Sequence, residues 1–335
     1  MTVMNQRADK GGFQFGLGET LALIAAACYA GVNVFLKPVS GTIDPFVGSL
    51  VRLLPLLVII SVMAIVVRPV AANPKSEFFI GGKILGLLVF GGTMSFLVGN
   101  SLLFSALNLA GVAIATAAVQ AGSVLGGVLI SWAFLKERPT NQQLVGAGII
   151  VIGLVFMASP GFLNAELDFT VISGILVAMI SGFCYTISNA ASRAAQRKPG
   201  RSILTLLVSN AAGATALFIT IWALHANPFA EFAKLPAEHW GAVLIAGLVN
   251  AVALASVTLS VRYTTVTKSV MITSLSIAFG ALFGVLFFEE ILQPLVLLGL
   301  GLVLLGVIVG QLSAKKKPVQ ADFETEVDLV ADPTK

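Results

Sequence analysis

The sequence predicts an all-α polytopic membrane protein with ten transmembrane helices in two inverted five-helix repeats. Hydrophobic residues make up 57% of the 335 residues and charged residues only 11%, whereas a soluble globular chain carries about 25% charge. The apolar residues fall into ten long runs, and Lys and Arg are concentrated at the ends of the chain and in every second connection between these runs. An internal repeat relates the first five runs to the last five.

Ten segments of the chain are long and apolar enough to be read as membrane spans, since a bilayer core needs about 20 apolar residues of helix. We predict spans at 19–37, 46–67, 83–105, 112–135, 142–159, 169–191, 203–224, 240–261, 268–288 and 292–312. The polar residues 1–17 form a predicted cytoplasmic N-terminal segment. Residues 313–335 are expected to form a disordered cytoplasmic tail, because they are polar and charged.

Lys and Arg predict the orientation, because cytoplasmic loops of membrane proteins carry an excess of these residues. With the N-terminus in the cytoplasm, 17 of the 20 Lys and Arg residues lie inside, Lys37 and Lys234 lie outside, and Arg52 lies within a span. An odd number of spans would destroy this separation. We therefore expect a multi-pass protein of the bacterial inner membrane with both termini in the cytoplasm. The net charge of +4 has the same origin, so nucleic acid is not an expected partner.

The second half of the chain repeats the first. Near the ends of the halves, a shift of 153 residues superposes identical residues, namely Glu137 on Glu290, Gly146 on Gly299, Gly148 on Gly301 and Gly153 on Gly306. Near their starts, a shift of 156 superposes Cys28, Tyr29, Asn33 and Lys37 on Cys184, Tyr185, Asn189 and Arg193. Each repeat has five spans, and because five is odd, the second copy must cross the membrane in the opposite sense. Inverted repeats are the basis of alternating access in secondary transporters.

The segment ALNLAGVAIATAAVQAGSVLGGVLISWAFLKE, the Gly-rich helix after it and their counterparts resemble the two EamA domains of the drug/metabolite transporter superfamily. The resemblance implies a fold of two inverted five-helix repeats, 18–160 and 169–312. It also implies transport of small metabolites, often amino acids or related compounds, with export expected. Arg52 is similar to the arginine often present in helix 2 of such domains. Ser123 and Ser276 stand where such domains commonly have proline, and Tyr29 stands where they often have Trp.

Polar side chains within the predicted spans are the candidate substrate-binding residues, because they are costly in a bilayer unless they face the protein interior or water. They are Asn33, Arg52, Asn100, Gln120, Tyr185, Asn189, Asn210, Asn250 and Ser276. A hydrogen bond between helices is the alternative role for each of them. Arg52 lies about 10 Å deep at 1.5 Å per residue, and its guanidinium fork suits a carboxylate or phosphate. Its alternatives are to reach the outer interface or to brace backbone carbonyls.

Glu137 and Glu290 lie at the ends of their spans. A carboxylate there can accept hydrogen bonds from the first free N–H groups of the next helix. We therefore expect structural roles at helix junctions rather than roles as proton relays.

The leading hypothesis is a secondary transporter that binds a small-molecule substrate within the lipid bilayer and uses no cofactor or metal. Catalytic motifs such as a Walker loop or a serine elbow are missing from the sequence, so we do not expect an enzyme. Proton coupling and the choice between monomer and homodimer stay open. Two alternatives also stay open: a membrane-embedded enzyme acting on a lipid-linked substrate, which needs a catalytic dyad or metal cluster, and a channel, which needs a ring of like charges or carbonyls.

Overall fold

The computed structural model of the chain describes residues 16–36, 44–71, 80–110, 112–164, 169–196, 202–224, 239–289 and 293–311. These residues form ten helices and no strand. The helices are α1 (Leu17–Leu36), α2 (Pro45–Ala71), α3 (Gly82–Ala110), α4 (Val112–Ala133), α5 (Asn141–Asn164), α6 (Phe169–Ala195), α7 (Ser202–Leu224), α8 (Trp240–Tyr263), α9 (Val266–Thr273 and Leu275–Phe288) and α10 (Pro294–Gln311). The predicted tail and nearly all of the predicted N-terminal segment lie outside the described residues.

Eight of these helices, α2 to α9, are long and apolar enough to cross a membrane. The apolar stretches of α1 and α10, Leu17–Val32 and Pro294–Gly310, are shorter. The prediction of an all-helical, multi-pass membrane protein is thus confirmed, whereas the count of ten crossings stays a prediction.

Alanine is frequent inside the bundle, beside large buried residues such as Leu53 and Ile150, and many large apolar side chains are exposed on its outside. On α1, Ala22, Ala25, Ala26 and Ala30 are at most 1% exposed, whereas the exposed positions of other helices include large residues such as Phe169. Helices in lipid gain no hydrophobic driving force from association, so small residues that allow close packing collect at their contacts.

Helices α5 and α10, which correspond in the two repeats, pack against each other through glycine. A methyl group added at Gly146 would lie 2.5 Å from the carbonyl oxygen of Gly306, and one added at Gly153 would lie 2.8 Å from that of Gly299. The first glycine of α5 thus contacts the second glycine of α10, and the second glycine of α5 contacts the first glycine of α10. The two helices therefore run antiparallel. Gly146 corresponds to Gly299 and Gly153 to Gly306, so the contact is symmetric under exchange of the repeats.

The other contacts between the repeats also occur in matching pairs. The contact of α1 with α8 corresponds to that of α6 with α3. The contact of α1 with α9 corresponds to that of α6 with α4. The contact of α2 with α8 corresponds to that of α7 with α3. The backbone repeats as well, because Lys136 (φ 57°) and Glu289 (φ 53°) both adopt the left-handed conformation and lie 153 residues apart. The duplication predicted from the sequence is therefore visible in helix packing and in local backbone conformation.

Two irregularities have no counterpart in the other repeat. Helix α3 contains a π-helical segment at Met94–Gly99, whereas its counterpart α8 is described as one α-helix, Trp240–Tyr263. Helix α9 is interrupted at Ser274, whose hydroxyl donates to the carbonyl of Met271, while α4 continues without a break past Ala121, the residue 153 positions earlier. Side-chain hydrogen bonds to the preceding turn compete with the helical ladder and bend helices.

Replacing Gly153 by alanine tests the contact between α5 and α10. Gly153→Ala should lower the free energy of unfolding by about 1–3 kcal/mol, the usual cost of overpacking, because its methyl group would meet the backbone of Gly299 and Val303. Gly148→Ala on the same helix is the matched control, because nothing lies within 4 Å of a methyl group there. Thermal unfolding of the two variants in detergent measures the difference, and equal midpoints would contradict the proposed packing.

Candidate functional site

Arg52 on α2 is the central residue of the candidate site. Its side chain is half-buried in the bundle, and its Nη2 lies 3.4 Å from Ser49 Oγ, one turn earlier on the same helix. The phenol groups of Tyr29 on α1 and Tyr185 on α6 lie near this guanidinium. Three helices thus bring one cation and two phenol groups together inside the membrane-spanning bundle.

The two tyrosines are repeat equivalents, but the arginine is not part of a pair. Tyr29 and Tyr185 lie 156 residues apart and both are half-buried. Helix α7, the counterpart of α2, contains no Lys or Arg. The two repeats therefore supply matching tyrosines, and the charge of Arg52 on α2 makes the site asymmetric.

Asn100 is held against Tyr185 by the irregular part of α3. The Tyr185 hydroxyl donates to Asn100 Oδ1 at 2.8 Å. One turn earlier on α6, the Ser181 hydroxyl donates to the carbonyl of Gly99 at 2.7 Å. Gly99 allows a close approach here, because a methyl group on it would lie 3.0 Å from Tyr185 Cε1. π-Helical segments occur frequently at functional sites, and this one ends at Gly99, directly before Asn100.

Asn250 on α8 contacts the backbone of Arg52 rather than its guanidinium. Its Nδ2 lies 3.4 Å from the carbonyl oxygen of Arg52. One turn earlier, Gly247 allows α8 to pack closely on Pro55 and on Cα of Arg52. Helix α8 thereby positions the segment of α2 that carries the arginine.

The remaining candidates lie elsewhere or bond within the fold. Gln120 Nε2 donates to Ser276 Oγ at 2.8 Å, where α4 crosses α9. Asn210 Nδ2 donates to the Leu206 carbonyl of its own helix, and its buried Oδ1 has no hydrogen-bond partner among the described residues. Asn189 is half-buried one turn after Tyr185. Asn33 lies one turn after Tyr29 in α1, but its side chain is outside the described part of the chain.

Glu137 contacts a different helix from the one expected. Its Oε1 accepts from Arg193 Nε on α6 at 3.1 Å. The first N–H groups of α5 are served instead by a capping box, in which Gln143 Oε1 accepts from the Thr140 N–H and Thr140 Oγ1 accepts from the Gln143 N–H. Glu290, the counterpart of Glu137, lies outside the described residues.

Sequence reasoning identified Arg52, Asn100, Tyr185 and Asn250 as candidates but missed Tyr29 and Ser49. Tyr29 could have been found from its correspondence with Tyr185, whereas Ser49 carries no signal beyond its place one turn before Arg52. Within the described ranges, no three His, Cys, Asp or Glu side chains group closely enough to hold a metal ion. The guanidinium of Arg52, with hydroxyl and amide groups beside it, is suited to binding an anionic group through hydrogen bonds and charge.

Comparisons with known proteins agree with this architecture. The model of the EamA-like transporter family matches residues 16–159 and 172–310. The chain is 28% identical over 223 residues to YwfM, an uncharacterized transporter of Bacillus subtilis (strain 168), a match that covers 64% of this chain and 70% of the relative. One solved crystal structure superposes with a TM-score of 0.68 at 18% identity and covers 90% of this chain and 99% of its own. At that identity the likeness shows the fold alone.

The hydrogen bond between Tyr185 and Asn100 can be tested by removing one hydroxyl. Tyr185→Phe should lower the free energy of unfolding by about 0.6 kcal/mol, and by at most about 1.7 kcal/mol, as measured for hydrogen bonds between membrane helices. Tyr263→Phe is the control, since that residue is 49% exposed near the end of α8. Unfolding in detergent with increasing SDS would compare the variants, and an equal loss for both would argue against the bond.

Proposed function

The chain belongs to the EamA-like transporter family, and on that premise we propose that it is a secondary transporter of amino acids or related small metabolites. In this proposal it crosses the bacterial inner membrane ten times, keeps both termini in the cytoplasm and exports its substrate. The two repeats cross the membrane in opposite senses and alternate between two arrangements around a central site. The antiparallel packing of α5 on α10 supports this relation, because corresponding helices of inverted repeats must run in opposite directions.

The charge of Arg52 inside the bundle is the observation that carries the proposal. A guanidinium has five N–H donors, and within the described part of the chain this one forms a single long hydrogen bond, with Ser49. Among the described residues, no Asp or Glu forms an ion pair with Arg52. A charge inside a membrane protein is costly unless it is paired. The carboxylate of a substrate would supply the missing partner, and the guanidinium fork binds carboxylates in a bidentate manner.

The neutral groups around Arg52 favour a substrate with one carboxylate. Tyr29 and Tyr185 offer hydroxyls and aromatic faces, and Asn100 and Ser49 add an amide and a hydroxyl. A second carboxylate would find no second cation within the described part of this cluster. The amino group of an amino acid could instead donate to hydroxyl and amide oxygens, which accept hydrogen bonds.

The sequence favours facilitated export or exchange over proton coupling. A proton relay in a transporter commonly uses Asp, Glu or His within the membrane. In this chain no Asp, Glu or His lies inside a predicted span, apart from Glu19 at the first residue of its span. Flux through the protein in liposomes, with and without a pH gradient, would distinguish the two versions, since uncoupled flux should not depend on the gradient.

Arg52→Ala is expected to abolish stabilisation by substrates. Hydrogen bonds to charged groups contribute about 1.5–3 kcal/mol, so affinity for a carboxylate substrate should fall by about tenfold or more. A thermal-shift screen of individual L-amino acids and monocarboxylic acids should therefore stabilise the wild type but not this variant. Arg138→Ala removes the same charge at an exposed position and should behave like the wild type. Equal stabilisation of Arg52→Ala and the wild type would contradict the role of Arg52.

A further inference from the structure

A polar cluster joins the two repeats at one end of the bundle, the end predicted to face the cytoplasm. The final residues of α4, α6 and α8 and the first residues of α1 and α9 meet there. Arg193, in the last turn of α6, lies at the centre of the cluster. The sequence alone marks this residue only as a cytoplasmic charge and as the counterpart of Lys37.

Arg193 connects three helices through two hydrogen bonds. Its Nε donates to Glu137 Oε1 at 3.1 Å, and its Nη1 donates to the carbonyl oxygen of Arg262 at 2.6 Å. Glu137 follows α4 of the first repeat, whereas Arg193 and Arg262 belong to the second. The Arg262 carbonyl lies in the last turn of α8, where carbonyls have no partner within the helix and attract a cation. A single guanidinium thus holds the ends of α4, α6 and α8 together.

A second contact between the repeats lies at the same end. Glu19, in the first turn of α1, accepts a hydrogen bond from Thr264 Oγ1 at 3.0 Å and lies 3.7 Å from Lys268 Nζ. Gly18 brings the backbones together, because a methyl group on it would lie 2.9 Å from Thr264 Cβ. Two ion pairs and a close backbone contact therefore close this end between the repeats.

The Glu137 carboxylate is only half satisfied in this arrangement. Its Oε2 is buried and has no hydrogen-bond partner among the described residues. The pair is largely shielded from solvent, with 11% of the Arg193 side chain and 24% of the Glu137 side chain exposed. Shielding strengthens the attraction between the charges, while an unmet carboxylate oxygen raises the cost of keeping them buried. These opposing effects suit a contact that forms and breaks, more than one that serves only as a permanent brace.

We propose that Arg193 is the gate residue of the predicted cytoplasmic face. When that face is closed, Arg193 holds Glu137 and the Arg262 carbonyl, and when the face opens to admit or release substrate, both hydrogen bonds break. This inference rests on the proposed function, because only a carrier that alternates between two arrangements must open this face. In the sequence, Lys37 and Glu290 occupy the corresponding positions of the other repeat, and both lie outside the described residues.

Reversible cross-linking tests the gate. In a protein whose Cys28 and Cys184 are replaced by alanine, Glu137→Cys and Arg193→Cys would be joined by a reducible bis-thiosulfonate linker about as long as the arginine side chain. We expect the linked protein in liposomes to lose at least tenfold in flux of a radiolabelled L-amino-acid mixture, and to recover it when the linker is reduced. Each single cysteine variant is the control for the reagent: the linker cannot join two helices in it, so its flux with the reagent should equal its own flux without the reagent.

The outcomes separate the gate from the carrier function. Unchanged flux in the linked protein would overturn the gate while leaving the carrier function intact. Absence of flux in the wild type would contradict both.

A variant that keeps the fold distinguishes a gate from a permanent brace. Glu137→Gln weakens the hydrogen bond with Arg193 but keeps the shape of the side chain. If Arg193 is the gate residue, this variant should change the maximal transport rate per folded protein by at least threefold. A permanent brace would instead lower the unfolding temperature without changing the rate per folded molecule. That second result would overturn the proposal even if the cysteine pair failed to fold.

Discussion

Close approach between helix backbones is the constraint on which the rest of the structure depends. Lipid gives helices no hydrophobic reason to associate, so packing must come from small residues and a few hydrogen bonds. Besides the contact between α5 and α10, Gly122 on α4 packs against the backbone of Met179 on α6, and Gly182 on α6 packs against that of Val119 on α4. These contacts exclude side chains, so they set the distances at which the few long polar residues can meet.

The helices and the duplication could be predicted from the sequence, because both depend on residues that are regular along the chain. Apolar runs of the length of a bilayer mark each helix, and fixed shifts of 153 and 156 align the repeats. Which face of each helix points inward could not be predicted so well. Lipid and protein interior are both apolar, so a buried Ala22 and an exposed Ile24 produce no contrast in polarity.

The candidate site was only partly predictable for a related reason. Arg52 stands out because a charge within a span is rare, and the structure places Tyr185 near it. The partner of Glu137, in contrast, lies 56 residues away on another helix, and no local pattern points to it. The π-helical segment of α3 also has no local signature. At this segment Phe96 packs on Gly213 of α7. The segment is therefore in contact with a helix that lies far along the chain.

The two kinds of contact between the repeats differ in how easily they can be remade, and this difference determines where the protein can move. A glycine contact such as that between Gly146 and Gly306 depends on shape, and sliding by one residue would drive side chains into backbone. Helices α5 and α10 are therefore suited to stay together as a fixed pair. The ion pair of Arg193 and Glu137 depends on charge, and water can replace each partner when the ends of the helices separate. A bundle with rigid glycine contacts along its length and exchangeable charges at one end can open at that end without losing its fold.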